Sequence, residues 1–137
     1  MNDSIVDRTG YRQFGTIEME RLSNTLRTLP GATALFLSGS RARARDDAYS
    51  DIDLCVVVHH IEQAIQARPR HLLHFGPIEV AVQFDGGSAY AILWDGVSYD
   101  HKVDIGLADA RDLTDVARRT ETGLCLWSQP PLPLVRN

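Results

Sequence analysis

Two aspartates, Asp51 and Asp53, are the residues whose type and spacing point most directly to chemistry. They open an apolar run that ends at Val58. Because alternate side chains of a β-strand share a face, both carboxylates would lie on one side of the strand and the apolar side chains on the other. Two neighbouring carboxylates repel each other unless a cation lies between them. Since Mg²⁺ is commonly bound by one or two carboxylates together with phosphate oxygens of a substrate, the pair predicts a magnesium site.

A turn of small residues, Gly39-Ser40, precedes this pair, with ten residues between Ser40 and Asp51. Glycine lets a ligand approach the backbone closely, and the free N–H groups at the start of a helix bind phosphate. Beside a metal site, such a turn is suited to holding a nucleoside triphosphate. Taken alone, the same two residues are better explained as an ordinary strand-to-helix turn capped by serine.

The combination of both elements resembles the signature of the nucleotidyltransferase superfamily, whose catalytic domain is of the polymerase-β type. The residues that carry the resemblance are Gly39, Ser40, Ala42, Arg43, Ser50, Asp51 and Asp53. Ala44 departs from the pattern, because family members commonly have glycine there. The resemblance covers about residues 30–128. It implies an α+β, polymerase-β-like nucleotidyltransferase fold, with a mixed β-sheet and helices packed on one face.

The resemblance also implies a third carboxylate on a neighbouring strand. Asp104 is the first candidate, because it alternates with the apolar residues Val103 and Ile105 and would face away from the core. Glu79 is the second candidate and Asp100 the third, and the sequence leaves these alternatives open.

In the family's chemistry, two Mg²⁺ ions act on one nucleoside triphosphate. Asp51 and Asp53 would hold the ion bound to the triphosphate, and Asp104 would share a second ion that activates an acceptor hydroxyl for in-line attack on the α-phosphate. Pyrophosphate would leave. The residues expected to bind the nucleotide's phosphates are Gly39, Ser40 and Arg43.

The implied reaction is transfer of a nucleoside monophosphate to a hydroxyl group. The donor is ATP, which would give AMP, or another nucleoside triphosphate, which would give the corresponding monophosphate. The acceptor is either an antibiotic-like small molecule or a tyrosine of a partner protein, as in minimal nucleotidyltransferases paired with a HEPN-family protein. The alternative is a non-catalytic member of the fold that serves as a binding or assembly module, like an antitoxin partner of a HEPN-type protein. Because the sequence keeps all the candidate carboxylates of the metal site, the enzyme is favoured over the non-catalytic module.

Composition narrows the class of protein further. The chain has 137 residues, 44% of them hydrophobic, which suits one domain over 1–137 with a lead-in segment at 1–15 and an extended proline-rich tail at 129–137. Its formal charge of −4 argues against nucleic acid as a partner. The polar start and the lack of a long apolar segment indicate a cytoplasmic protein without a membrane partner.

A partner of another kind is expected, because little sequence follows the predicted carboxylates. Nothing there could form the helical substrate domain of larger family members. We therefore expect a homodimer, or a heteromer with a helical partner protein, that completes the cleft.

The elements that must position these residues follow from hydrophobic periodicity and turn residues. Four apolar residues from Met19 to Leu29 form the stripe of a helix that ends at Pro30. Asp109 is expected to cap a helix over 110–118, and Pro69 to close a helix over 60–67. The other predicted elements are strands at 32–37, 51–58 and 78–83, a hairpin over 90–107 with its turn at Asp95-Gly96, a short helix at 40–47 and a strand at 124–127.

Overall fold

The order of helices and strands agrees with that expectation in the parts of the chain that can be compared. The computed structural model describes residues 16–38, 52–94, 102–121 and 123–129. Along the chain its elements are α1 (Thr16–Arg27), β1 (Ala32–Ser38), β2 (Ile52–Val58), α2 (Ile61–Phe75), β3 (Ile78–Phe84), β4 (Ala89–Trp94), β5 (Val103–Asp109), α3 (Leu113–Thr120) and β6 (Leu124–Ser128). The predicted helix at 40–47, the Asp95-Gly96 turn, the lead-in segment and all but the first residue of the tail lie outside the described residues.

The strands form one six-stranded sheet in the order β3-β4-β5-β2-β1-β6. β2 and β5 are parallel, whereas every other neighbouring pair is antiparallel. The predicted α+β class with a mixed sheet is therefore confirmed. β4 and β5 pair as the two arms of the predicted hairpin, so β5 lies between β4 and β2 in the centre of the sheet.

Helices cover both faces of the sheet, so the prediction that they pack on one face is wrong. α1 and α2 pack on the larger core, which buries Leu22, Leu72 and Ile105. α3 covers the opposite face, where Val116 packs in a smaller cluster that includes Phe36. The physical reason is that the central strands carry apolar side chains on both faces, and each apolar face needs a cover.

α2 continues through Pro69 to Phe75, although the proline was expected to end it. Proline cannot donate the backbone hydrogen bond and costs about 3 kcal/mol inside a helix. Burial of Leu72 and Phe75 beyond the proline is the compensating gain, since each buried apolar side chain contributes about 1.5–3 kcal/mol. Tertiary packing thus overrides the local signal.

Arg68 of the same helix is fully buried and supports the centre of the sheet. Its Nη1 donates to the Ile105 carbonyl at 3.1 Å, and its Nη2 donates to the Gly87 carbonyl. The guanidinium lies 4.6 Å from the centroid of the Tyr90 ring. Burial lowers its pKa to about 10, so it stays charged at neutral pH. Arg68 therefore fixes β5 next to Asp104 and holds the turn between β3 and β4.

A β-bulge between Ile78 and Val80 reverses the faces of β3. Ile78 packs against the larger core, whereas Val80, Val82 and Phe84 lie on the α3 side of the sheet, opposite Leu93 and two alanines of β4. These three apolar side chains are 46–49% exposed. Ile78, Val80 and Val82 alternate along the sequence, as in a half-buried strand, but because of the bulge they do not share one buried face.

Asp112, and not Asp109, caps α3. The Asp112 carboxylate accepts a hydrogen bond from the Asp115 N–H at 3.0 Å, and the helix begins at Leu113. Asp109 instead accepts from the backbone N–H and the guanidinium of Arg111, which lowers the pKa of its carboxyl. The chain therefore turns once more after β5 before the helix starts.

Replacing the cap should loosen α3. We expect Asp112→Ala to lower the free energy of unfolding by about 1 kcal/mol, because the N–H of Asp115 loses its acceptor. Urea denaturation followed by circular dichroism measures this. Thr114→Ala, an exposed change in the same first turn, is the control and should be within about 0.5 kcal/mol of wild type. Equal losses in both variants would contradict the capping role.

Candidate functional site

Asp53 and Asp104 stand side by side in the two parallel central strands. They are direct partners in the register of β2 and β5, whose spacing puts their backbones about 4.8 Å apart. Each is flanked by buried residues of the larger core, so both lie on the α3 side of the sheet. Ser38 at the end of β1 is the partner of Asp53 on its other side. Carboxylates from two distant parts of the chain therefore meet at one point of the sheet.

This row of residues opens into a cavity of about 460 Å³. That volume is in the range of small-molecule sites. The lining residues that matter below are Ser38, Asp53, Phe84, Ala91, Lys102 and Asp104. A second cavity of about 410 Å³ lies between α1 and α2, and its lining includes Arg70, His71 and His74 but neither aspartate. The first cavity is therefore the one whose side chains match the chemistry predicted from the sequence.

Lys102 provides a nearby positive charge. Its Nζ lies 4.0 Å from the Asp104 carboxylate, with the two side chains 48% and 40% exposed. An exposed pair of this kind is weak, usually below about 1 kcal/mol. Lys102 thus balances only part of the charge of Asp104.

Arg119, at the end of α3, lies over the same face of the sheet as Asp53 and Asp104, at the neighbouring row of residues that contains Gly106. Its Nε donates to both carboxylate oxygens of Asp115 at 3.1 and 3.0 Å, which holds the guanidinium in place. A Cβ added at Gly106 would lie 2.9 Å from Nη1 of Arg119. Gly106 is two residues beyond Asp104, about 7 Å along the strand. A fixed guanidinium therefore lies close to the carboxylate pair.

No pattern in the sequence singles out Arg119. A glycine inside an apolar strand is the signal that could have found it, because such a glycine often marks the close approach of another group. Gly106 alone, however, does not reveal which side chain approaches.

Cys55 is the β2 neighbour of Gly106 and is buried below Arg119. Burial raises the pKa of its thiol from 9.0 to about 11, against the opposing effect of the nearby Arg119. The protonated thiol is neither a nucleophile nor a metal ligand at neutral pH. Cys55 is a packing residue at the edge of the site.

The two cysteines should therefore differ in reactivity. At pH 8, we expect Ellman's reagent to label one thiol of the folded protein, the exposed Cys125, and the second only after unfolding. Because folded Cys55 keeps its proton between pH 9 and 11 while the unfolded chain releases it, stability should fall as the pH rises through that interval. Cys125→Ser is the control and should abolish the native-state labelling. Rapid labelling of that variant would contradict the burial of Cys55.

Not all of the predicted site residues can be placed. Gly39, Ser40, Arg43, Asp51 and Asp100 lie outside the described residues. The chain leaves β1 at Ser38 and enters β2 at Ile52, next to the carboxylate row. Both ends of the segment that carries the Gly-Ser turn are thus at the cavity.

Glu79 is not brought to the pair. It lies in β3, the edge strand, which β4 and β5 separate from β2. Three strand spacings amount to about 14 Å between the two backbones. Of the two candidates for the third carboxylate within the described residues, only Asp104 is beside Asp53.

The described residues contain no group of three or more His, Cys, Asp or Glu side chains arranged to hold a metal ion. The carboxylates of Asp53 and Asp104 are oxygen donors, the chemistry that a hard cation such as Mg²⁺ prefers. Within the same ranges, no helix has the length and hydropathy that a membrane span requires.

No protein-family model matches the chain, and no curated protein matches it either.

Proposed function

We propose that the chain is a Mg²⁺-dependent nucleotidyltransferase that transfers a nucleoside monophosphate, AMP from ATP in the first instance, to a hydroxyl group. The observation that carries the proposal is the pairing of Asp53 with Asp104 in adjacent parallel strands. The sequence pattern Gly39-Ser40 and Asp51-x-Asp53 supports it independently, since the two ends of that segment meet the same cavity.

In this proposal, Asp51, Asp53 and Asp104 would hold Mg²⁺. When bound, the ion would neutralise phosphate charge and make the acceptor hydroxyl more acidic. Arg119 lies over Gly106, two residues along β5 from Asp104, where it would balance part of the negative charge that develops on the transferred phosphoryl group, and Asp115 keeps its guanidinium oriented. The residues proposed to bind the triphosphate are Gly39, Ser40 and Arg43, on the family resemblance alone.

We also propose that a second copy or a helical partner protein closes the cavity. Transfer to a hydroxyl competes with hydrolysis, so a site of this kind needs water to be excluded. On the described part of the chain, the rim of the cavity next to Phe84 continues into the exposed side chains of Val80 and Val82. An apolar strip beside an open site is typical of a surface that a partner covers. The acceptor is then a small molecule or a side chain of that partner.

The proposed reaction can be tested with ATP labelled at the α-phosphate. Purified protein, Mg²⁺ and candidate acceptors, both aminoglycoside- or lincosamide-like compounds and co-encoded proteins, should yield labelled acceptor and pyrophosphate in equal amounts. Omitting Mg²⁺ should abolish both products. ATP hydrolysis to ADP and phosphate, with no label transferred, would contradict the proposal and indicate a different phosphoryl chemistry.

A further inference from the structure

We propose that Phe84 is the platform on which the nucleobase stacks, so that the cavity binds a nucleotide with its phosphates at the carboxylates and its base at β3. The inference rests on the proposed function. It adds a subsite that the sequence pattern does not contain.

The floor of the cavity is formed by small residues between Phe84 and the carboxylates. In the register of the sheet, Phe84 pairs with Ala89, and Ala89 pairs with Gly106. In the adjacent row, Ala91 lies beside Asp104. Between the phenyl ring and the carboxylates, the floor is therefore made of two methyl groups and a glycine. The small side chains of Ala89 and Ala91 leave a trough between the ring and the carboxylates, while the guanidinium of Arg119 occupies the space over Gly106.

The distance between Phe84 and the carboxylates also suits a nucleotide. Phe84 lies in β3, two strands away from β5. It is also one residue pair further along the sheet than the row that contains Asp104. The backbones of Phe84 and Asp104 are therefore about 12 Å apart. The ring of Phe84, the Asp104 carboxylate and a metal ion on it would take up part of this span, which leaves room for the ribose and the α-phosphate on which the proposed reaction acts. A ligand with phosphates at Asp53 and Asp104 would thus present its base at the opposite end of the trough.

The aromatic ring of Phe84 is exposed at the end of the cavity opposite the carboxylates. Phe84 lines the cavity and is 49% exposed, on a strand at the edge of the sheet. An exposed apolar edge strand favours aggregation, so keeping phenylalanine there has a cost. Stacking of a base on the ring is a compensating gain, and it works for any base because every base has a π-face. We therefore expect a preference for purine over pyrimidine nucleotides, through stacking area, and little discrimination between adenine and guanine by the ring.

The test compares a ligand that has a base with one that lacks it. Isothermal titration calorimetry with Mg²⁺ should show that wild type binds both ATP and inorganic tripolyphosphate. Phe84→Ala should weaken ATP binding about ten- to hundredfold and leave tripolyphosphate affinity unchanged. Phe84→Trp should restore ATP binding. Leu124→Ala is the matched control, since Leu124 is an apolar residue of the other edge strand with similar exposure and does not line the cavity.

The possible failures are distinguishable. If wild type binds ATP but Phe84→Ala binds it equally well, the stacking platform is refuted and the proposed function is untouched. The same holds if Phe84→Ala weakens the binding of both ligands to the same extent, or if Leu124→Ala weakens ATP binding as much as Phe84→Ala does. If wild type binds neither ligand, the proposed function itself fails and the inference fails with it. Thermal unfolding of each variant shows whether a loss comes from the fold.

Discussion

Asp53→Asn is expected to abolish Mg²⁺-dependent nucleotidyl transfer while the fold stays intact. Asparagine keeps the shape of the side chain but removes the charge that, in the proposed function, would hold the metal beside Asp104. We expect kcat to fall by at least ~10²-fold, as when other groups that stabilise transition-state charge are removed. Asp51→Asn should behave in the same way. The measurement is the initial rate of pyrophosphate release at saturating ATP.

The folded state of these variants gives a second readout. Without bound metal, removing one of two adjacent carboxylates relieves their repulsion, so the melting temperature should stay the same or rise slightly. Glu62→Gln, which removes an exposed charge from the first turn of α2, is the control and should not alter turnover. Turnover of tens of per cent of wild type in either aspartate variant would overturn the assignment of the metal site.

Asp104→Ala should also lose catalysis, but it should retain part of its nucleotide binding. Asp51 and Asp53 would still hold the metal bound to the triphosphate, whereas activation of the acceptor would be lost. We expect turnover near the detection limit and a Kd for Mg²⁺-ATP within about tenfold of wild type. Single-turnover transfer and calorimetry measure the two effects separately.

Glu79→Ala is the matched comparison for this prediction. Because β3 is at the edge of the sheet, two strands away from β5, the variant should be nearly silent in both assays. If Glu79→Ala loses turnover and Asp104→Ala retains it, the third carboxylate is Glu79, and the cavity beside Asp53 is not the reaction centre.

Much of the local structure could be predicted from the sequence, because periodicity reports burial. The buried stripe of Leu22, Leu26 and Leu29 appears as expected, although α1 already ends at Arg27, and so does the alternation around Asp104. The side-by-side position of Asp53 and Asp104 could not be derived in that way. It depends on the parallel pairing of β2 with β5, and the choice between Asp104 and Glu79 depends on strand order, which local patterns do not encode.

The wrong predictions have a common origin in tertiary packing. Pro69 did not stop α2, because burial beyond it outweighs the lost hydrogen bond. The helix α3 was predicted, but its place on the second face was not, although the uninterrupted apolar run from Leu54 to Val58 is typical of a strand buried on both faces. Arg68 and Arg119 act through contacts with distant strands, so no local pattern identifies them.

The most direct test of the central claim is whether the protein captures a metal–nucleotide complex at the carboxylate pair. Mn²⁺ can replace Mg²⁺ in such sites, and electron paramagnetic resonance measures how much of it remains free. The account predicts that protein and ATP together bind Mn²⁺ more tightly than ATP alone, and that Asp53→Asn removes the difference. A wild-type protein that leaves the free Mn²⁺ signal of ATP solutions unchanged would contradict it.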